Sequence, residues 1–166
     1  MRRVASATGP IRAKTRRKLL YVEDDVLNQE VAELWLAEHY ELVFALNARQ
    51  ALSMLREQCE QIEAILMDIE LKGSELDGVE LTKVLRGQDL GRPLPPFARE
   101  ELAQCDQDAI REIPVFFVTA YANRVKDPTA LGADGVVTKP INFFDLQMRL
   151  TQAHLKRLGS RSSRGK

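Results

Sequence analysis

The sequence predicts an α/β domain, a doubly wound parallel sheet of five strands with helices on both faces. Three observations lead there. Five short apolar runs, at residues 18–22, 40–46, 62–67, 113–118 and 135–138, alternate with segments of helical periodicity. Most of these runs are apolar at consecutive positions, as strands covered on both faces must be. Polar residues gather just past the carboxyl ends of the runs, where open parallel sheets bind their ligands.

The first run ends in Glu23, Asp24 and Asp25, and Asp25 can cap the helix that follows. In that helix Leu27, Val31, Leu34 and Trp35 form one apolar stripe, expected to face the core, with Trp35 packed beneath the helix. Residues 40–46 make the second strand, and Asn47 caps a helix carrying Ala51, Leu52 and Leu55. The third strand ends at Asp68. Val79, Leu81, Val84 and Leu85 mark the third helix, which Gly87 ends. Residues 88–112 are an insertion before strand four, far longer than the usual connection of roughly 2–6 residues. It opens proline-rich and then turns weakly helical on Leu102, Ala109 and Ile110, which predicts a loop plus one short helix packed on the edge. The fourth strand ends at Thr119. Asp127 and Pro128 then start a helix that Gly132 stops after about one turn. The fifth strand ends at Lys139, and a last helix from Asn142 shows Phe143, Leu146, Leu150 and Ala153.

At 166 residues with 45% hydrophobic content the chain suits one domain with a real core. The formal net charge of zero conceals a segregation. Residues 1–18 carry seven bases and residues 156–166 five more, neither with an acid, which leaves 12 bases against 24 acids between them. A body at net −12 argues against nucleic-acid binding. The expected organisation is a flexible basic tail at 1–17, a domain at 18–156 and a second flexible basic tail at 157–166. No apolar run approaches the ~18 residues of a membrane span. No apolar stretch follows the basic start to make a secretion signal. Cys59 and Cys105 are expected as free thiols of a cytoplasmic protein.

Glu23, Asp24, Asp68, Thr119 and Lys139 all fall at carboxyl ends of strands, so five residues spread over the chain converge on one rim. Capping explains any single acid, and it does not explain three acids, a hydroxyl and a lysine together. Three carboxylates ionised at neutral pH repel one another unless a proton or a cation intervenes. An oxygen-only set suits a hard ion, Mg²⁺ before Ca²⁺, because no loop supplies the ~6–8 oxygens calcium prefers. Mn²⁺ is the expected substitute. Asn28 lies one turn into the first helix, within reach of this rim. His39 and His154 lack the paired spacing of metal ligands and are assigned to helix surfaces.

The fragments Leu-Leu-Tyr-Val-Glu23-Asp24-Asp25, Ile-Leu-Met-Asp68, Val-Thr119-Ala120 and Gly132-Ala133-Asp134…Thr138-Lys139-Pro140, in that order, resemble the receiver domain of two-component response regulators, of the stand-alone, chemotaxis-regulator-like kind. The resemblance implies a flavodoxin-like receiver fold and a phosphoacceptor at Asp68. It implies a donor that is a histidine kinase or histidine phosphotransfer protein carrying phosphohistidine. Glu23, Asp24, Asp68 and the backbone carbonyl of Glu70 would hold Mg²⁺. Thr119, Ala120 and Lys139 would meet the phosphoryl group. The chain would switch protein–protein contacts as a monomer or as a dimer formed on phosphorylation, with no catalysis beyond its own phosphorylation and dephosphorylation.

Four features depart from the family pattern. The 68–78 loop is longer and holds Lys72-Gly73-Ser74 in place of a proline. Val136 stands where an aromatic switch residue is usual, for which Tyr121 is the candidate replacement. The fourth helix is truncated. Glu70 adds charge at the mouth. These keep two other readings open, a phosphorylation-independent adaptor and a receiver excised from a hybrid histidine kinase. A phosphatase-like hydrolase is a third, with Glu70 where its second Asp would stand.

Overall fold

The computed structural model describes residues 16–165. Of the flexible tail expected at 1–17, residues 1–15 lie outside them, and Arg17 instead opens the first strand. Strands β1 (Arg17–Val22), β2 (Tyr40–Ala45), β3 (Ile62–Asp68), β4 (Val115–Thr119) and β5 (Gly135–Thr138) form one sheet in the order β2-β1-β3-β4-β5, every pair parallel. Helices α1 (Val26–Leu36) and α6 (Phe143–Arg164) are associated with one face, and α2 (Ala48–Gln58) and α3 (Gly78–Leu85) with the other. Strand β1 leads to β2 on one side and β3 lies on the other, so the order reverses between β1 and β3. That crevice is where such sheets place a ligand.

Two apolar cores follow from consecutive strand residues pointing to opposite faces. Leu20, Val22, Ile65, Met67 and Phe117 join α2 and α3, whereas Leu19, Tyr21, Leu66 and Val118 join α1 and α6. Local signals match the sequence at most boundaries. Asp25, Asn47 and Asn142 cap α1, α2 and α6 through their side chains, and Gly87 ends α3 at φ 70°.

Elsewhere the structure corrects the expectations. The stripe of α1 faces outward, with Leu34 84% and Trp35 62% exposed, while Gln29, Ala32 and Leu36 face the core. Trp35 stacks on Phe143 at 5.7 Å between ring centroids. The insertion holds two helices, α4 (Pro96–Ala103) and α5 (Gln107–Arg111), and packs on α2 and α3 rather than on the sheet edge. Phe97, Ala98 and Ile110 are its buried anchors, and the Arg49 guanidinium lies 4.4 Å above the Phe97 ring. The segment expected as a flexible tail from 157 continues α6 to Arg164. The segment after Thr119 holds a short 3-10 turn at Ala122–Arg124. The helix expected at 127–132 is only a turn, in which Asp127 accepts the Ala130 N–H at 3.0 Å. His39 lies in a turn rather than on a helix. His154 is on α6, its Nδ1 against the Glu63 carboxylate.

Candidate phosphoacceptor and metal site

Each expected residue reaches the rim by a local device. Glu23 extends β1, and its N–H donates to the Ala45 carbonyl at 2.9 Å, which holds its direction. Asp68 ends β3 and is 4% exposed. Thr119 ends β4, and its carbonyl accepts the Lys139 N–H at 2.9 Å, bringing the lysine alongside.

The groups meet. Ligand oxygens of Glu23, Asp24 and Asp68 all lie within 4.8 Å of one another. Lys139 Nζ donates to Glu23 Oε2 at 2.8 Å and to Asp68 Oδ2 at 3.1 Å. The other Asp68 oxygen accepts the Glu70 N–H at 3.0 Å. Asp24 Oδ2 accepts the Lys72 N–H at 3.2 Å, so the lengthened loop closes against the first acid pair. Thr119 Oγ1 accepts the Tyr121 N–H at 3.0 Å, which leaves the Thr119 hydroxyl proton to donate elsewhere.

Electrostatics follow from burial. Burial, then the neighbouring Glu23 charge, pushes the Asp68 carboxyl up to about 6, with the Glu70 N–H and Lys139 opposing. Burial also pushes Glu23 up, but the Lys139 hydrogen bond and the Asp25 N–H outweigh it and hold Glu23 below its ordinary value. Burial alone would lower Lys139. Its contacts with both carboxylates overcome that and raise it. Of the two carboxyls sharing Lys139, Asp68 therefore takes up a proton first. A hard divalent ion fits this donor set, since three carboxylates with oxygens within 4.8 Å of one another carry more negative charge than one ammonium balances.

Sequence reasoning missed three contributors. Tyr21 is buried and its hydroxyl donates to Glu23 Oε2 at 3.0 Å. Gln29 Nε2 donates to the Glu23 carbonyl at 2.7 Å. Gly78 opens α3 so close to β3 that a Cβ there would stand 2.0 Å from the Asp68 carbonyl oxygen. Asp77 before it forms a capping box with Glu80, a pattern readable in the sequence. Asn28 lines a cavity beside Lys139. Glu70 and Ala120 are exposed at the rim. Tyr121 is exposed with the Arg124 guanidinium 4.3 Å from its ring centroid, and Val136 is half-buried against the α2–α3 core.

A five-stranded parallel sheet in this order, with acids, a threonine and a lysine on its carboxyl rim, defines a receiver-type signalling domain. No family model matches the sequence. The polar-differentiation response regulator DivK of Brucella anthropi is 31% identical over 129 residues, which span 76% of this chain and 86% of that one. The receiver domain of the sensor histidine kinase PA1611 from Pseudomonas aeruginosa, solved with a magnesium ion coordinated in its active site cleft, matches at TM-score 0.61 and 25% identity. That match covers 84% of this chain and 98% of that one. The receiver domain of NtrX from Brucella abortus shares the fold at TM-score 0.62 and 22% identity, covering 82% of this chain and 97% of that one. The chain belongs to the response regulator receiver family.

Proposed function

We propose that Asp68 accepts a phosphoryl group from a phosphohistidine on a histidine kinase or phosphotransfer protein, and that the aspartyl phosphate switches the chain's protein contacts. The observation that carries this is the doubly held Asp68 carboxylate, buried beside Glu23 and Asp24 with Lys139 against it. An Asp68 oxygen attacks phosphorus as the P–N bond to the imidazole breaks, and the imidazole leaves with the bonding pair and is protonated. The carboxylate is a competent nucleophile for such an intermediate. Lys139 is placed to neutralise charge on the transferred oxygens, and Thr119 to donate its hydroxyl to one of them. Glu23, Asp24, Asp68 and the carbonyl of Glu70 would hold Mg²⁺, or Mn²⁺ in its place. A bound ion supplies electrostatic stabilisation of the equatorial oxygens.

The switch rests on two arrangements of the Thr119 segment whose balance the phosphoryl group shifts. Catalysis by the chain extends to its own phosphorylation by small phosphodonors and to dephosphorylation. Its place of work is the cytoplasm, where kinase phosphohistidine is made; no described helix is long and apolar enough to cross a membrane. The test is incubation with acetyl phosphate and Mg²⁺, followed by intact mass. One added phosphoryl in the wild type, lost in Asp68→Asn and on chelation, is expected. An unmodified wild type would refute the proposal.

A further inference from the structure

The loop between Asp68 and α3 reaches both aspartates of the candidate site. Its Glu70 N–H donates to Asp68 Oδ1 at 3.0 Å and its Lys72 N–H to Asp24 Oδ2 at 3.2 Å, so one stretch of backbone fixes the two carboxylates relative to each other. Nine residues, 69–77, make this connection, where roughly 2–6 are usual. Ordering them costs backbone entropy that contacts must offset. Leu71 and Leu76 are buried anchors of the loop itself, and Ser74 Oγ accepts the Ala48 N–H at 3.1 Å at the start of α2. Further holds come from the 88–112 insertion.

The insertion acts on Glu75 twice. Arg92 Nη2 donates to the Glu75 carbonyl at 3.1 Å, and its Nε donates to Glu80 Oε1 at 2.9 Å. The other Glu80 oxygen accepts the Asp77 N–H at 3.2 Å, so one guanidinium ties the loop backbone to the cap of α3. The Glu75 carboxylate meanwhile pairs with Arg49 Nη2 at 3.0 Å. The two side chains are 62% and 56% exposed, and a pair so exposed contributes little by itself. Arg49, however, lies 4.4 Å above the ring of buried Phe97 in α4, so the insertion fixes its direction as well. Other contacts of the insertion do not touch the loop, among them Arg56 Nη1 on Glu101 Oε2 at 3.1 Å.

We propose that the 88–112 insertion is a positioning device for the acid pair: Arg92, and Arg49 seated on Phe97, hold the 69–77 loop closed and so set the affinity for the divalent ion. The metal part of this rests on the role given above to Asp24, Asp68 and the Glu70 carbonyl. Arg92, Arg49 and Phe97 are positioning residues, which act through the loop. An unlatched loop populates open forms, and an ion that binds the closed form then loses apparent affinity in proportion to the closed fraction.

Amide hydrogen exchange on the metal-free full chain tests it, alongside a Mg²⁺ titration. In Arg92→Ala, exchange at Glu70 and Lys72 is expected to rise about fivefold, the size that a partly exposed charged contact supplies, with unchanged circular dichroism. The Mg²⁺ dissociation constant is expected to rise by about the same factor. Arg49→Ala is expected to raise both about twofold. Arg56→Ala loosens the same insertion away from the loop, and is expected to leave exchange at Glu70 and Lys72 and the Mg²⁺ affinity as in the wild type. The exchange reading needs neither metal nor phosphoryl group, so it stands even where Asp68 proves not to be the acceptor. Unchanged exchange at Glu70 and Lys72 in Arg92→Ala overturns the proposal. So does an equal rise in Arg56→Ala, or faster exchange with an unaltered Mg²⁺ affinity.

Discussion

The carboxyl rim of the sheet and the α1–α6 layer invert the ordinary placement of residues in opposite ways. At the rim, charged groups are buried, with Glu23 fully covered and Asp68 nearly so, and each is held by named donors. On the helical layer, Leu34, Leu155 and Phe144 are exposed with nothing over them in the described chain. Buried charge is costly unless paired, and exposed apolar surface is costly unless covered. Under the proposed function, a cation and a phosphoryl group would balance the charge at the rim, while the exposed apolar layer marks an interaction face.

Substitutions separate the two regions by size of effect. Gly78→Ala drives a Cβ into the Asp68 carbonyl, a backbone contact that no rotamer relieves. A loss of about 3 kcal/mol is expected in urea unfolding, comparable with severe overpacking. A loss under about 1 kcal/mol would mean that α3 stands further from β3. Asp24→Ala removes a candidate ligand and is expected to weaken Mg²⁺ affinity ~100-fold, about 2.7 kcal/mol, in calorimetric titration. Lys139→Ala, by contrast, is expected to keep metal affinity and lose the phosphate-dependent response. Equal metal affinity in Asp24→Ala and the wild type would remove that residue from the site.

The metal-free rim also carries a pH signature. Asp68 holds its proton more tightly folded than unfolded, so its contribution is most favourable at low pH and is lost as pH rises from 3.8 to about 6. Glu23 acts in the opposite sense, but only below its ordinary value of 4.5. Between pH 4.5 and about 6 the wild type should therefore lose about 2 kcal/mol relative to Asp68→Asn. Mg²⁺ should narrow that difference at neutral pH by binding the folded state. Parallel pH curves for the two proteins would contradict the burial of an ionised Asp68. On the helical layer the effect is smallest. Trp35→Ala forfeits mainly the stack on Phe143, and about 1 kcal/mol is expected where a core tryptophan would cost about 3–5.

The same contrast explains what could be read from the sequence. Strand ends, caps and the Asp68–Lys139 set were legible because they rest on local chemistry and on one property of parallel sheets. The sheath of Tyr21 and Gln29 around Glu23 was not, since a tyrosine in an apolar run and a glutamine in a helix look ordinary until the tertiary fold turns them inward. The α1 stripe is legible in the sequence, but it faces outward rather than toward the core. Periodicity reports that a helix has an apolar face, not what covers it. The face that packs holds Gln29 and the small Ala32, and Leu36 is its one large aliphatic. The second helix of the insertion escaped because its turn is only five residues long, fixed by an Asp106 cap and the single buried Ile110.

The most direct test is chemical location of the acyl phosphate. Borohydride reduction after phosphorylation converts an aspartyl phosphate to homoserine, which peptide sequencing can place. Homoserine at position 68, formed only when divalent metal is present, is the expected result. Homoserine at position 24, 25 or any other acid, or none at all, would contradict the assignment of Asp68 as the acceptor.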